Sequence, residues 1–210
     1  MTSIELSEIG AGFSDLSLGS QGVFRAALEA LSYPGRSVSL DVTFDAPKSV
    51  HASSSGLLLA LLEPGSRLWL SPSLVDTDAA AWIVFHTDCK ITPHQHEADF
   101  AWIKNWDELP ALDGFALGTD EYPDHSTTCV IDIAEPNNTS GSTPSLSLVG
   151  PGVARTSTLD QLSATLAQAT DFVGQWKKNH ACFPRGVDVF VAKSTSLIGL
   201  PRTTHIELAG

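Results

Sequence analysis

The chain has 210 residues and a formal net charge of −12, and hydrophobic residues make up 42% of it. This length fits one domain, 1–210, with a sizeable core. The acidic balance, without any run of lysine or arginine, argues against binding to nucleic acid. Three cysteines at long spacings argue against a disulfide framework or zinc ribbon, and indicate reduced thiols in a cytoplasmic protein. The first residues lack the features of a signal peptide, and the longest apolar run, 56–62, is too short to cross a membrane.

The first half of the chain predicts helices and strands in alternation. Apolar residues recur at helical spacing from Gln21 to Leu31, and the pair Pro34-Gly35 ends that helix. Residues 1–12 are predicted to be an irregular arm, and glycines at 10, 12 and 19 extend the irregular character to about residue 18. The later elements predicted here are a half-buried strand at 38–42, a helix at 56–62 capped by serines 53–55, a strand at 67–70 and a helix at 77–82. The segment 82–86 fits either a helix or a strand.

The second half predicts more strands and one long helix. The elements are a strand at 99–103, a helical turn at 107–112, a strand at 127–133, a polar hairpin turn at 137–142 with its returning strand at 146–149, a helix at 159–178 and a buried strand at 187–192. Interleaved strands and helices with one hairpin predict an α/β fold, in which a mixed sheet is flanked by helices in three layers.

Two Pro-Arg turns near the carboxyl terminus are notable because the chain is acidic. They are Pro184-Arg185-Gly186 and Pro201-Arg202-Thr203-Thr204, and the apolar strand between them would fix both turns in space. An arginine on such a turn presents a planar fork of donors that suits a carboxylate or a phosphate.

The candidate anion- or partner-binding residues are therefore the arginines borne on turns, with two adjacent threonines: Arg36, Arg155, Arg185, Arg202, Thr203 and Thr204. Two of these arginines follow Pro34-Gly35 and Gly150-Pro151-Gly152, and glycine-rich turns let an anion approach the backbone closely. The alternative is that each arginine pairs with a surface carboxylate or caps a carbonyl. Convergence of two or more would favour a binding site, and the spacing leaves convergence open.

Other candidate chemistry is weaker. His94-Gln95-His96-Glu97 with Asp99 is similar to a metal-ligand cluster, because alternate residues of an extended segment face one side. No third ligand follows from the spacing, so a solvated loop is the preferred interpretation. His86 is predicted to be half-buried with its hydrogen bonds satisfied, and Lys193 to be a surface lysine, with a Schiff base as the alternative. The sequence has no nucleophile elbow, phosphate-binding loop or dinucleotide fingerprint, so no catalytic residue, cofactor or metal is predicted.

Short blocks spread over nearly the whole chain together resemble one family. The most specific are Phe183-Pro184-Arg185-Gly186-Val187-Asp188 and Leu200-Pro201-Arg202-Thr203-Thr204. The others, in order, are Phe24-Arg25 with 30–36, Leu61-Leu62-Glu63-Pro64 with Leu68-Trp69-Leu70, Phe85-His86-Thr87, Ala98-Asp99-Phe100-Ala101, Gly118-Thr119 with Tyr122-Pro123-Asp124-His125-Ser126, and Gly150-Pro151-Gly152. On these blocks the chain resembles the H subunit of bacterial carbon–phosphorus lyase, the PhnH family of phosphonate catabolism.

This resemblance implies a non-catalytic assembly subunit in a core complex with the G, I and J subunits, and a homodimer in isolation. With the G, I and L proteins it would support transfer of an alkylphosphonate to ribose C1 of ATP with release of adenine, forming ribose 1-alkylphosphonate 5-triphosphate. The implied fold resembles a reduced large domain of pyridoxal-phosphate-dependent transferases, without the cofactor. The further family-motif positions are Pro34, Gly35, His86, Tyr122, Pro123, Gly150, Gly152 and Asp188.

An alternative function remains beside this one. A free-standing small-molecule-binding protein or enzyme could use the relict transferase cleft, with Lys193 or the pair His94 and His96. The chain also has five tryptophans, a large number for its length. Most are predicted to lie in the core, and one or two to anchor an interface, where tryptophan and arginine are enriched.

Overall fold

A computed structural model describes residues 9–41, 43–133, 146–153 and 171–208, and the fold is given for these residues. Its helices are α1 (Leu16–Ser32), α2 (Ala52–Leu61), α3 (Asp78–Thr87) and α4 (Phe172–Ala181). Its strands are β1 (Ser37–Ser39), β2 (Arg67–Leu70), β3 (Lys90–Ile91), β4 (Phe100–Ile103), β5 (Thr128–Asp132), β6 (Leu146–Val149), β7 (Asp188–Lys193), β8 (Ser196–Leu200) and β9 (His205–Leu208). Among these helices none is both long and apolar enough to cross a membrane.

A mixed sheet forms the centre of the fold, as predicted, and it has seven strands in the described part of the chain. Its strand order is β1-β8-β7-β5-β4-β2-β3. Neighbouring strands from β7 to β3 run parallel, whereas β8 runs antiparallel to both β7 and β1. The central strands β4, β5 and β7 are buried along most of their length, as expected for parallel strands covered on both faces. Strands β6 and β9 form a separate antiparallel pair.

Two apolar clusters on opposite faces of the sheet give the three predicted layers. Alternate residues of β5 divide between them: Cys129 and Ile131 belong to one cluster, and Val130 to the other. The Val130 side packs against α1, α2 and α3, and the Cys129 side packs against α4 and the β6–β9 pair. All five tryptophans are buried in these clusters, so none of them is an exposed interface anchor. The three cysteines are free, and burial raises the pKa of the Cys129 thiol.

The first helix begins earlier than the sequence pattern predicts. Helix α1 begins at Leu16, where the Asp15 carboxylate accepts a hydrogen bond from the Leu18 amide at 2.9 Å. The predicted irregular character is therefore wrong for residues 16–18, whereas residues 9–15 are irregular as predicted and residues 1–8 lie outside the described residues. Gly19 lies inside the first turns of this helix, and a Cβ there would sit 2.5 Å from the Phe13 ring. This glycine permits close packing rather than breaking the helix.

The serines before α2 do not cap it. Helix α2 begins at Ala52 and has His51 as its N-cap residue, so serines 53–55 lie inside the first turn and are buried. The hydroxyls of Ser54 and Ser55 donate back to the His51 carbonyl oxygen at 3.0 and 2.9 Å. The ambiguous segment 82–86 is helical and belongs to α3, which ends where Asp88 takes a left-handed conformation.

The predicted hairpin between β5 and β6 is wrong. Both edges of β5 are already taken by β4 and β7, so β6 pairs with β9 instead. The predicted turn at 137–142 lies outside the described residues, as do Val42 and the part of the predicted helix 159–178 that precedes residue 171. The described end of that helix is α4, which continues to Ala181. The helical turn predicted at 107–112 is present as two short 3-10 turns, Trp106–Glu108 and Leu112–Gly114.

Candidate functional site

Arg202 connects several loops at the edge of the sheet where the parallel strands begin, which we call the amino edge. Its Nε and Nη2 donate to the two carboxylate oxygens of Asp188 at 3.1 and 2.5 Å, and Nη2 also donates to Ser126 Oγ at 2.6 Å. Its Nη1 donates to the carbonyl oxygens of Pro123 at 2.7 Å and Pro184 at 3.5 Å. A guanidinium has five N–H donors, and all five are directed at acceptors of this chain. Arg202 therefore has no donor left for an external anion.

The strand order explains why these residues meet. Asp188 is the first residue of β7, and Ser126 lies two residues before β5, the parallel neighbour of β7. Strand β8 is antiparallel to β7, so it ends at this edge and places Arg202 beside Asp188. The Arg202 amide adds a hydrogen bond to Asp188 Oδ1 at 2.7 Å. We call this group of Arg202, Asp188, Ser126, Pro123 and Pro184 the Arg202 clamp.

Helix α4 holds the last Pro-Arg turn from the other side. His180 Nδ1 is hydrogen-bonded to the Arg202 carbonyl oxygen at 2.8 Å, and Trp176 Nε1 donates to the Thr204 carbonyl oxygen at 2.7 Å. The turn also closes on itself, since the Thr204 amide donates to Pro201 O at 2.9 Å. Thr204 is fully buried, and Thr203 is half-buried. The turn is thus fixed on both sides by hydrogen bonds.

Two glycine turns pack against the same region. A Cβ at Gly150 would lie 3.0 Å from Thr203 O, and one at Gly152 would overlap the carbonyl oxygen of Ser32 at the end of α1. Both glycines have positive φ angles, 151° and 78°. The Gly35 amide donates to Gly199 O at 3.1 Å, which joins the Pro34-Gly35 turn to β8. Most of the sequence blocks that carry the resemblance therefore converge at the amino edge.

The other candidate arginines form ion pairs with carboxylates. Arg185 Nε lies 3.1 Å from Asp120 Oδ1, next to Pro184 of the Arg202 clamp. Arg36 Nη1 lies 3.4 Å from Glu29 Oε1 and its guanidinium lies over the Tyr33 ring, so it contacts its own helix and turn. Arg155 lies outside the described residues. The two carboxyl-terminal Pro-Arg turns converge, because Arg202 Nη1 donates to Pro184 O, whereas Arg36 pairs with Glu29 and Tyr33 of its own helix and turn.

Exposed aromatic side chains surround the Arg202 clamp. Tyr122 is 50% exposed and stacks on the His125 ring at 5.2 Å, and Phe183 is 59% exposed. A groove of about 410 Å³ runs beside them along the starts of β2, β4 and β5. It is lined by Arg67, Asp99, Phe100, Asp124, His125, Ser126 and Thr128. Aromatic residues next to an exposed arginine are the composition found at the centres of protein interfaces.

The histidine cluster does not form the extended ligand array considered from the sequence. Residues Gln95–Glu97 form a 3-10 turn, and Asp99 is turned towards Arg67, 3.1 Å from its Nη2. Within the described ranges, no group of three or more histidine, cysteine, aspartate or glutamate residues could hold a metal ion. His86 is half-buried and its Nε2 is hydrogen-bonded to Gly10 O at 2.9 Å, which agrees with its predicted role. Lys193 ends β7 at the opposite edge of the sheet.

The sequence interpretation missed Asp132, at the edge where the parallel strands end, which we call the carboxyl edge. Asp132 is the last residue of β5 and only 1% exposed. Its Oδ2 accepts the His51 amide at 3.1 Å, while Oδ1 has no hydrogen-bond partner among the described residues. Burial raises the pKa of this carboxyl group, opposed by the Ser54 hydroxyl and the His51 amide. An acidic residue within the apolar run Cys-Val-Ile-Asp-Ile was the signal that could have identified it.

Comparison with known proteins places these features in a family. The model of "Bacterial phosphonate metabolism protein (PhnH)" matches residues 11–207. The chain is 33% identical over 202 residues to the "Alpha-D-ribose 1-methylphosphonate 5-triphosphate synthase subunit PhnH" of Rhizobium meliloti (strain 1021), covering 96% of this chain and 97% of the relative. It is 30% identical over 200 residues to the "Putative C-P lyase subunit protein HtxG" of Stutzerimonas stutzeri, covering 90% of this chain and 87% of the relative. The chain belongs to the PhnH family, whose members are subunits of the carbon–phosphorus lyase system.

Proposed function

We propose that this chain is a non-catalytic assembly subunit of the carbon–phosphorus lyase system, and that it binds partner subunits through the amino edge of its sheet. Two relatives are named as subunits of such enzymes, which supports a role inside a complex. The observation that carries the proposed surface is the exposed group of Tyr122, His125, Phe183 and Arg185 around a rigid Arg202 clamp.

The Arg202 clamp gives this surface its rigidity. A preorganised surface loses little conformational entropy when a partner binds, because its loops are already fixed. Arg202 itself supplies no contact to the partner, since its donors are satisfied internally. Arg185 is different, because its carboxylate partner Asp120 is highly exposed and can be exchanged for an acidic group of a partner.

The finer functional statements follow from the family. We propose that the partners are the G, I and J subunits, and that the complex with G, I and L transfers an alkylphosphonate to ribose C1 of ATP with release of adenine. The isolated chain would form a homodimer in the cytoplasm, as a single domain. Its sheet would correspond to a reduced large domain of the pyridoxal-phosphate-dependent transferases, without the cofactor.

Co-purification tests the proposed surface. The double variant Tyr122→Ala with Phe183→Ala, co-expressed with the tagged G, I and J subunits, should be recovered at least about tenfold less than the natural chain, because hot-spot aromatics each contribute about 2 kcal/mol or more. Phe85→Ala is the matched control, since Phe85 is a similarly exposed aromatic residue, 56% exposed, that lies on α3 rather than on the loops that carry Tyr122 and Phe183. Equal recovery of the double variant and the control would remove the amino edge from the interface.

A further inference from the structure

The carboxyl edge of the sheet carries a second group of polar residues, which the proposed docking surface does not use. Ser71, Lys104, Asp132 and Ser194 follow or end the parallel strands β2, β4, β5 and β7. Helix α2 begins at this edge, where the His51 amide donates to Asp132 Oδ2 and the Ser53 amide donates to Ser194 O at 3.0 Å. In open α/β sheets, ligands bind in the crevice outside the carboxyl ends of the strands.

Two buried side-chain oxygens, one on Asp132 and one in the first turn of α2, have no internal partner in the described part of the chain. They are Asp132 Oδ1 and Ser53 Oγ, and Ser53 is fully buried. Leaving such atoms without a hydrogen bond destabilises the folded state, most strongly for a carboxylate. Asp188 at the amino edge has the opposite environment, because both of its oxygens accept hydrogen bonds from Arg202. Asp132 Oδ1 and Ser53 Oγ therefore differ from the Asp188 carboxylate in lacking an internal hydrogen-bond partner in the described part of the chain.

The charges around these atoms restrict the class of ligand. The Asp132 carboxylate disfavours an anion. The Lys104 ammonium and the positive end of the α2 dipole both disfavour a cation. Lys104 donates to the Ser49 carbonyl oxygen and acts on Asp132 electrostatically. An uncharged ligand with hydroxyl groups fits, because one hydroxyl donates to Asp132 Oδ1 and an oxygen accepts from the Ser53 hydroxyl. His51, Ala52 and Lys104 are only partly buried, so the site borders solvent.

We infer that Asp132 and Ser53 bind the adjacent hydroxyl groups of a sugar, in the form of a ribosyl compound. The choice of ribose among sugars rests on the proposed function, since one relative is named for a ribose 1-methylphosphonate 5-triphosphate synthase. The site itself rests on the two unpaired atoms and the surrounding charges. It lies at the opposite edge of the sheet from the proposed docking surface, so either proposal can fail alone.

Calorimetric titration of the full chain tests this site. Adenosine is the probe, because its ribose carries the adjacent 2′- and 3′-hydroxyl groups and no phosphate. Binding of 2′,3′-dideoxyadenosine should be at least about tenfold weaker, because hydrogen bonds to a charged group contribute about 1.5–3 kcal/mol. Asp132→Asn and, independently, Ser53→Ala should weaken the binding of adenosine, and Asp132→Asn by about tenfold or more.

The exposed residue Asp41 provides the control. Asp41→Asn removes one exposed negative charge from a residue that is not proposed to contact the ligand, so it should bind adenosine with the affinity of the natural chain. Absence of saturable binding of adenosine by the natural chain would overturn the inference. The inference would also be overturned if the natural chain bound adenosine and dideoxyadenosine with equal affinity. It would be overturned as well if Asp132→Asn and Ser53→Ala both bound adenosine as tightly as Asp41→Asn does. Co-purification of the Asp132→Asn chain with the other subunits should be unchanged, which separates this inference from the proposed docking surface.

Discussion

The two edges of the sheet provide opposite environments for a carboxylate. At the amino edge, Asp188 and Arg202 satisfy each other, and the remaining donors of Arg202 bind three other groups. At the carboxyl edge, Asp132 is more deeply buried, yet one of its oxygens has no partner within the described ranges. A satisfied ion pair fixes loops in one arrangement, whereas an unsatisfied buried carboxylate destabilises the fold and indicates a functional role. The comparison favours a structural role for the Asp188–Arg202 pair and supports the ligand site proposed at Asp132.

The largest expected effect comes from breaking the Arg202 clamp. Arg202→Ala should lower the free energy of unfolding by about 3 kcal/mol or more, because it leaves the half-buried Asp188 carboxylate and the Pro123 carbonyl without their donor. Equilibrium unfolding in urea measures this change. The control is Arg36→Ala, whose exposed ion pair with Glu29 should contribute less than about 1 kcal/mol. A loss for Arg202→Ala no larger than that of the control would contradict the structural role of Arg202.

A smaller effect is expected at the glycine turn beside Arg202. Gly152→Ala should destabilise the chain by more than about 2 kcal/mol, because the residue has φ +78° and a Cβ would overlap the Ser32 carbonyl oxygen. Gly65→Ala isolates the contribution of the backbone conformation, because Gly65 has φ +90° and a Cβ added there would meet nothing within 4 Å. The expected loss of stability for Gly65→Ala is about 1–2 kcal/mol. Thermal unfolding of both variants measures the difference. Equal losses would mean that the close approach at Gly152 contributes nothing.

The smallest effect concerns the carboxyl edge and depends on pH. Because burial raises the pKa of Asp132 in the folded state, the folded chain holds this proton over a pH range in which the unfolded chain has released it. Stability should therefore fall, relative to Asp132→Asn, as the pH rises from about 4, the unfolded pKa, through the folded pKa. Urea unfolding of both chains at several pH values measures the difference. A stability difference that stays constant with pH would show that Asp132 is not destabilised by burial.

The sheet strands were the most predictable part of the molecule. Strands β2, β4, β5 and β7 follow from runs of apolar and β-branched residues, because they are buried on both faces. The pairing of β6 was not predictable from its neighbours in sequence, because it depends on β9, more than fifty residues away. The start of α1 was missed because Gly19 serves the contact with Phe13, which only the folded chain shows.

The candidate site was predictable in part. The two Pro-Arg turns were identified from the sequence, and the strand order explains their convergence. The sequence could not show that Arg202 is satisfied internally, because its acceptors at Pro123 and Ser126 lie more than seventy residues away. Asp132 was missed because a strand pattern does not distinguish an aspartate that faces solvent from one that faces a helix terminus.

The most direct test of the docking proposal is hydrogen–deuterium exchange of the chain, alone and in complex with its partner subunits. The peptides spanning 118–126 and 183–186 should be protected in the complex, because they carry Tyr122, His125, Phe183 and Arg185. The α3 peptide, 78–87, should exchange at the same rate in both states. Protection confined to α3, with unchanged exchange at the amino edge, would contradict the proposed surface.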